Sequence, residues 1–212
     1  MKTVNYRYLL GGVVLVGILV GTVWILKATR AKIPSFAESF PRSKGPVDAP
    51  VQIIEYSDFQ CPSCRLAQVS LSSLLLEKEE KFRLIFQHFP LQGHAWSPLA
   101  HQAAECAAEQ KQFWAYHDRL YSDQDAWAED REPARRMFQY ARDLGLDLER
   151  FSGCLENLEV TERIKIELME GKVQGVSSTP SFFIQSKMAV GEKQLREAVD
   201  GWVRDRAKIA DF

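Results

Sequence analysis

Charge of one sign is what this chain of 212 residues most plainly lacks: 28 acidic residues stand against 27 basic ones, for a net charge of −1. That balance gives no reason to expect a nucleic-acid surface or a bulk electrostatic partner. No phosphate-binding glycine loop, nucleophilic serine motif or cofactor fingerprint occurs, so no organic cofactor is expected. No internal repeat is present. Cysteine is scarce as well, with Cys61, Cys64, Cys106 and Cys154 making four in all. A structural zinc site needs four ligands, usually as two close pairs, and Cys106 and Cys154 have no near neighbour to pair with. Metal binding is therefore not expected. His88, His94, His101 and His117 read as structural or surface residues rather than catalysts.

Long apolar runs are confined to one place. Leu9 to Leu26, LLGGVVLVGILVGTVWIL, gives eighteen positions without a charge, between Lys2 and Arg7 on one side and Lys27, Arg30 and Lys32 on the other. This length reaches the lower range of a membrane-spanning helix and exceeds the usual apolar stretch of a cleaved signal peptide. Residues 1–27 are accordingly read as an uncleaved signal anchor; a cleaved signal is the alternative, and a buried core helix does not suit the basic flanks. The flanking cations do not decide orientation. The cysteine chemistry places the bulk of the chain outside the cytoplasm, in a periplasmic or other extracytoplasmic space. Residues 28–50, with Pro34, Pro41, Gly45, Pro46 and Pro50, suit a tether better than a packed element.

The globular part, expected over 51–208, begins with VQIIEYS at 51–57, a β-branched and aromatic run that reads as a buried strand. Apolar residues from Leu66 to Leu76 fit a helix, and FRLIFQHF at 82–89 fits a second strand ending at Pro90. A strand–helix–strand order implies parallel pairing. Residues 97–173 read as almost wholly helical. The long run SPLAHQAAECAAEQKQFWAYHDRLY has Ser97 as N-cap and Pro98 at the first helical position. Shorter helices are expected near 131–143, 147–156 and 158–172. Strands return with PSFFIQ at 180–185 and MAV at 188–190, and a terminal helix follows. Phe113, Trp114, Tyr116 and Tyr121 match helical spacing and read as core.

The chemistry concentrates in QCPSC. Cys61 falls where strand gives way to helix, so its sulfur faces a helix N-terminus, where free N–H groups and the positive dipole end favour a thiolate. Pro62 fits the first turn, where a missing N–H costs nothing. Cys64, one turn on, shares the face and lies within reach of a disulfide. Farther along, GVSSTPSFFI places Pro180 after Thr179 at the entrance of a strand, a common position for proline at a sheet.

EYSDFQCPSCR, the FPL of 89–91, the AAECAAEQKQFWAYHDRLY helix and TPSFF together resemble the DsbA family of thioredoxin-fold thiol–disulfide oxidoreductases over roughly 47–205. The resemblance implies an α/β thioredoxin-like fold with a helical insertion at about 95–173. It implies Cys61 as nucleophile and Cys64 as resolving cysteine, around the dipeptide Pro62-Ser63. Pro180 would be a cis-proline, and the backbone at Thr179 and Pro180 would hold substrate. Glu55, six residues before Cys61, would be a buried acid exchanging protons with Cys64; alternation does not fix its facing, and an edge-facing or salt-bridged glutamate in the strand is the alternative. Cysteine-containing proteins would be the substrates, and a membrane quinone reductase of the DsbB or vitamin K epoxide reductase type would reoxidise the enzyme. Cys106 and Cys154 are expected to form a structural disulfide, with two separate buried thiols as the alternative. The same residues would also serve a reductase or an isomerase, though no dedicated dimerisation domain is seen. A membrane-tethered chaperone or binding module with a merely structural cysteine pair is the rival from another class. Two departures stand out: Ser178 where glycine often precedes Thr-Pro, and Pro-Ser in place of Pro-His between the cysteines. Serine supplies no imidazolium beside the thiolate, so equilibration with glutathione buffers is expected to give a less oxidising potential than the Pro-His enzymes have. A potential as high as theirs refutes this.

Overall fold

The computed structural model describes residues 42–77 and 79–210, and the first of them already belong to the sheet. Ser43–Lys44 forms edge strand β1, antiparallel to a strand forty residues on, inside the stretch read above as tether. Two contacts explain the difference. Arg42 is buried in a bidentate pair with Glu167, and the Trp114 indole N–H donates to the Ser43 carbonyl at 3.2 Å. Gly45 then turns with φ +91°, where a Cβ would collide with the Phe82 carbonyl. The anchor expected over 1–27 lies outside the described residues; among those described, no helix is long and apolar enough to cross a membrane.

β2 (Val51–Ser57) is the central strand, followed by α1 (Pro62–Glu77) and β3 (Phe82–His88). The helical insert comprises α2 (Ser97–Glu109), α3 (Phe113–Ser122), the single turn α4 (Gln124–Trp127), α5 (Pro133–Asp143), α6 (Leu148–Leu155) and α7 (Leu158–Val173). β4 (Ser181–Ile184), β5 (Lys187–Val190) and α8 (Gly191–Ala210) complete the order. The sheet runs β1-β3-β2-β4-β5, with β2 parallel to β3 and antiparallel to β4. This is the thioredoxin-like architecture with a helical insertion that the resemblance implied.

The insert departs from expectation in one place. The run read as one helix from Ser97 splits in two, because Lys111 takes a left-handed φ of 63°. The Gln112 N–H reaches the Ala107 carbonyl at 2.8 Å and the Lys111 N–H reaches that of Ala108 at 2.9 Å, a Schellman-type stop usually made with glycine. The N-cap is Trp96 rather than Ser97, so Pro98 takes the second position of the first turn.

Apolar packing falls on both faces of the sheet. On one, Ile53, Phe82, Leu84 and Phe182 pack with Leu71 of α1 and Leu195 and Val199 of α8. On the other, Tyr56 and Phe89 lie against α7, which comes so close at Gly171 that a Cβ there would sit 2.8 Å from the Tyr56 ring. The insert has its own core around Phe113, Tyr116, Trp127 and Phe151, continuous with Phe59 and Phe86 beside the cysteines. A buried polar cluster joins insert to sheet. His88 Nδ1 and His101 Nδ1 are 2.5 Å apart, His88 Nε2 is 3.2 Å from Glu105, and the His88 amide donates to Glu167 at 2.7 Å. Burial lowers the pKa of His88 to about 3 and that of His101 well below its ordinary value, so both rings are neutral at neutral pH.

Cys106 and Cys154 are joined by a disulfide that ties α2 to α6 across 48 positions. A closed loop of that length contributes about 4 kcal/mol through the entropy of the unfolded chain. Replacing both cysteines by serine is expected to lower the urea-unfolding free energy by roughly that amount, measured with Cys61 and Cys64 kept reduced.

Candidate active site

Cys61 closes the loop that leaves β2, and Pro62 starts α1 immediately after it. Two side chains hold this loop to the insert, and a third holds it to the segment that follows β3. Gln124 Nε2 donates to the carbonyls of Phe59 and Cys61 at 2.7 and 3.0 Å. Gln60 donates to the Ala128 carbonyl at 2.8 Å and accepts from the Trp96 amide at 2.8 Å. The buried Asp58 carboxylate gathers the amides of Gln60 and Leu91, each at 2.7 Å, and His94 Nδ1 at 2.8 Å. None of these partners adjoins Asp58 and Cys61 in sequence except Gln60, so their part could not be read from the motif itself.

The two sulfurs are unequal. Cys61 keeps 6% of its surface and Cys64 none, and both are free thiols. The Cys64 S–H, donating to the Cys61 sulfur, is the largest cause drawing the Cys61 pKa down to about 5. Burial opposes it, while the Thr179 hydroxyl and the amides of Cys64 and Ser63 assist. The helix terminus thus acts through two amides and is secondary to the neighbouring thiol. Cys64 is pushed the other way, first by burial and then by the same hydrogen bond and the Cys61 charge. The Asp58 amide points at its sulfur from 3.5 Å.

Opposite the pair lies the segment before β4. The Thr179–Pro180 peptide is cis, and the Thr179 carbonyl accepts from the Cys61 thiol at 3.5 Å. The Thr179 hydroxyl is buried without an oxygen or nitrogen partner, and it favours the charged form of both sulfurs. It is therefore free to donate to a thiolate. Pro62 and Ser63 are exposed beside Cys61. Cys106 and Cys154 take no part in this site.

Glu55 is fully buried, paired in register with Phe86 of β3 and Phe182 of β4. One carboxyl oxygen accepts from Gln68 of α1 at 2.7 Å; the other is buried without a partner. Burial raises its pKa to about 7, against the opposing influence of the Ser57 hydroxyl and the Gln68 hydrogen bond. The structure thus brings Cys61, Cys64, Thr179 and Pro180 together, while Glu55 is buried farther back along β2, held by Gln68 of α1. Among the described residues no group of three or more His, Cys, Asp or Glu is placed to hold a metal ion.

A family model described as thioredoxin matches residues 41–204. The chain belongs to the thioredoxin family. Within that family its likeness to the DsbA type, read above from the motifs, stands in the fold as well. The thiol-disulfide exchange protein alpha-DsbA2 from Wolbachia pipientis superposes with a TM-score of 0.66 at 21% identity, covering 85% of this chain and 96% of that one. A probable disulfide bond formation protein D of Bacillus anthracis is 29% identical over 78% of this chain and 79% of its own. The Na(+)/H(+) antiporter NhaA 3 of Salinispora tropica is 37% identical over 68% of this chain. There the thioredoxin-family chain spans about a fifth of the relative's length, 21%.

The sign of the Glu55 shift gives a stability test. The folded thioredoxin domain keeps a proton that the unfolded chain releases between pH 4.5 and about 7, so this group's contribution falls as pH rises through that window. Above it the burial of an ionised carboxylate costs on the order of 3 kcal/mol. Glu55→Gln is expected to be more stable than the wild-type reduced protein by about that amount at pH 8, and nearly equal to it at pH 4.5, in paired urea titrations.

Proposed function

We propose that the chain is a thiol–disulfide oxidoreductase that forms disulfides in extracytoplasmic proteins through Cys61-Pro62-Ser63-Cys64. The observation that carries this reading is the split between the sulfurs: Cys61 ionises near pH 5 while Cys64, directly beneath it, is held as a thiol. A couple whose reduced form contains a stabilised thiolate gives up its disulfide readily, so it oxidises other thiols. This favours disulfide formation over reduction as the net direction.

In the forward reaction a substrate thiolate attacks Cys61 of the oxidised enzyme, forming a substrate–Cys61 mixed disulfide and releasing Cys64, which takes up a proton. A second substrate thiolate attacks the substrate sulfur of that mixed disulfide and expels Cys61 as thiolate. Two electrons pass from the substrate dithiol to the enzyme disulfide. Cys61 is the better leaving group because its anion is stabilised; Cys64 resolves the mixed disulfide in the reverse direction. An extended substrate segment pairs with the backbone at Thr179 and Pro180, alongside the Cys61 sulfur. Glu55, with its pKa near 7, supplies the proton that Cys64 takes up.

Residues 1–27 serve as a single-pass anchor on an extracytoplasmic catalytic domain running from 51 to about 208, with the insertion over about 95–173. Reoxidation falls to a membrane quinone reductase of the DsbB or vitamin K epoxide reductase type. The apolar run at 9–26 and the likeness to a disulfide bond formation protein support this placement.

Cys64→Ser is expected to accumulate substrate disulfides on Cys61, seen as dithiothreitol-sensitive bands on non-reducing gels. Cys61→Ser is expected to accumulate none and to lose dithiol oxidation. Adducts trapped through Cys64, or activity retained without Cys61, would contradict the assigned nucleophile.

A further inference from the structure

Tyr121 was read from the sequence as core, and its ring does pack among Phe59 and His117. Its hydroxyl has another neighbour. Tyr121 Oη lies 2.9 Å from Ser57 Oγ, both buried, and only 3.4 Å from the Asp58 carbonyl as a second acceptor. Strand alternation puts Ser57 and Glu55 on the same face of β2, toward α1, while Tyr56 turns to the opposite face among Phe89 and Phe183. Ser57 is therefore the side chain on β2 between Glu55 and the loop that carries the cysteines. The next amide along the chain, that of Asp58, lies 3.5 Å from the Cys64 sulfur, so the Ser57 side chain stands between Glu55 and that sulfur, and its hydroxyl favours the charged form of both.

The solvent side is also defined. Gln68, which holds Glu55, and Tyr121, which holds Ser57, border one surface cavity of about 600 Å³, together with His117 and Asp118. That is room for many waters against the two side chains that grip the buried groups.

We propose that the Ser57 hydroxyl, positioned by Tyr121, is the bridge that carries a proton between Glu55 and Cys64, and that the cavity bordered by Gln68 and Tyr121 is where this proton is exchanged with water. The inference rests on the exchange reaction proposed above. When substrate attack releases Cys64 as a thiolate, Ser57 gives its proton to that sulfur and takes one from the Glu55 carboxyl. The products are a Cys64 thiol and a Glu55 carboxylate, and water restores the carboxyl. The negative charge thus passes from the sulfur to the carboxylate by two proton shifts. Ser57 takes part in the transfer itself, and Tyr121, which acts only by holding the Ser57 hydroxyl, is the positioning residue. The titratable groups that face the pair are Glu55 and Asp58 from β2 and its exit, Cys61 and Cys64 at the start of α1, His117 and Asp118 from α3, and Lys44 from β1.

The test is single-turnover oxidation of a dithiol peptide by the full-length oxidised protein, from pH 5 to 8, in water and in deuterium oxide. Ser57→Ala is expected to slow Cys64 release by about a hundredfold and to lose both the inflection near pH 7 and the solvent isotope effect. The ultraviolet titration of the Cys61 thiolate is expected to stay where the wild type has it. Ser57→Thr, which keeps the hydroxyl, is expected to restore rate and inflection. Tyr121→Phe is expected to lose the inflection while keeping the fold, and it carries the test if Ser57→Ala does not fold. Wild-type exchange with an unchanged rate and inflection in Ser57→Ala overturns the bridge alone, as does Ser57→Thr behaving like Ser57→Ala. A wild-type protein that oxidises no dithiol overturns the exchange reading and the bridge with it.

Discussion

The hydrogen bond from the Cys64 thiol to the Cys61 sulfur is the contact on which the site depends. It is the largest cause that favours the Cys61 anion, and it adds to the burial that already keeps Cys64 neutral. Two sulfurs this close cannot both carry charge in a buried place, so the first proton lost protects the second. Everything nearby maintains the asymmetry. The start of α1 sets the one-turn spacing, the Asp58 amide faces the deeper sulfur, and the Thr179 segment covers the shallower one. Of the two sulfur-bearing side chains only Cys61 keeps any exposed surface.

The helical insert is part of this device. Gln124 holds the carbonyls of the cysteine loop, the Trp96 amide donates to Gln60, and Asp58 draws in the backbone after β3 and the ring of His94. The loop is thus fixed from the insert side as firmly as from the sheet. The buried His88–His101–Glu105 cluster and the Arg42–Glu167 pair join the same insert to β3 and to the first described residues. Interior polar groups that satisfy one another in this way confine the helices to one placement over the sheet.

Local chemistry was legible in the residues, and the resemblance added two distant pairings, Cys106 with Cys154 and Thr179–Pro180 with Cys61; the other long-range partnerships were not legible. The strand at 51–57, the helix start at Pro62 and the unequal cysteines all follow from residues within one turn of each other. The facing of Glu55 was open, because alternation says which residues share a face but not which face is inward; Gln68 and the register with Phe182 decide it. Ser57 shared that alternation and was still missed, since its partner lies 64 residues away on another helix. The break at Lys111 was missed because a lysine carries no sign of a left-handed turn. Arg42 was read with a flexible tether because its two buried acids come from distant helices.

Exposure alone does not separate the two cysteine pairs: Cys154 shows 8% of its surface, slightly more than the 6% of Cys61. What separates them is where a departing sulfur anion would find itself. Cys61 departs into the amino end of a helix among donors, whereas Cys154 sits in the last turn of α6, where carbonyls point outward and repel negative charge. In the proposed exchange reaction the Cys61–Cys64 bond is therefore the one that opens to an incoming thiol, while the Cys106–Cys154 bond stays shut and the scaffold outlasts the cycle.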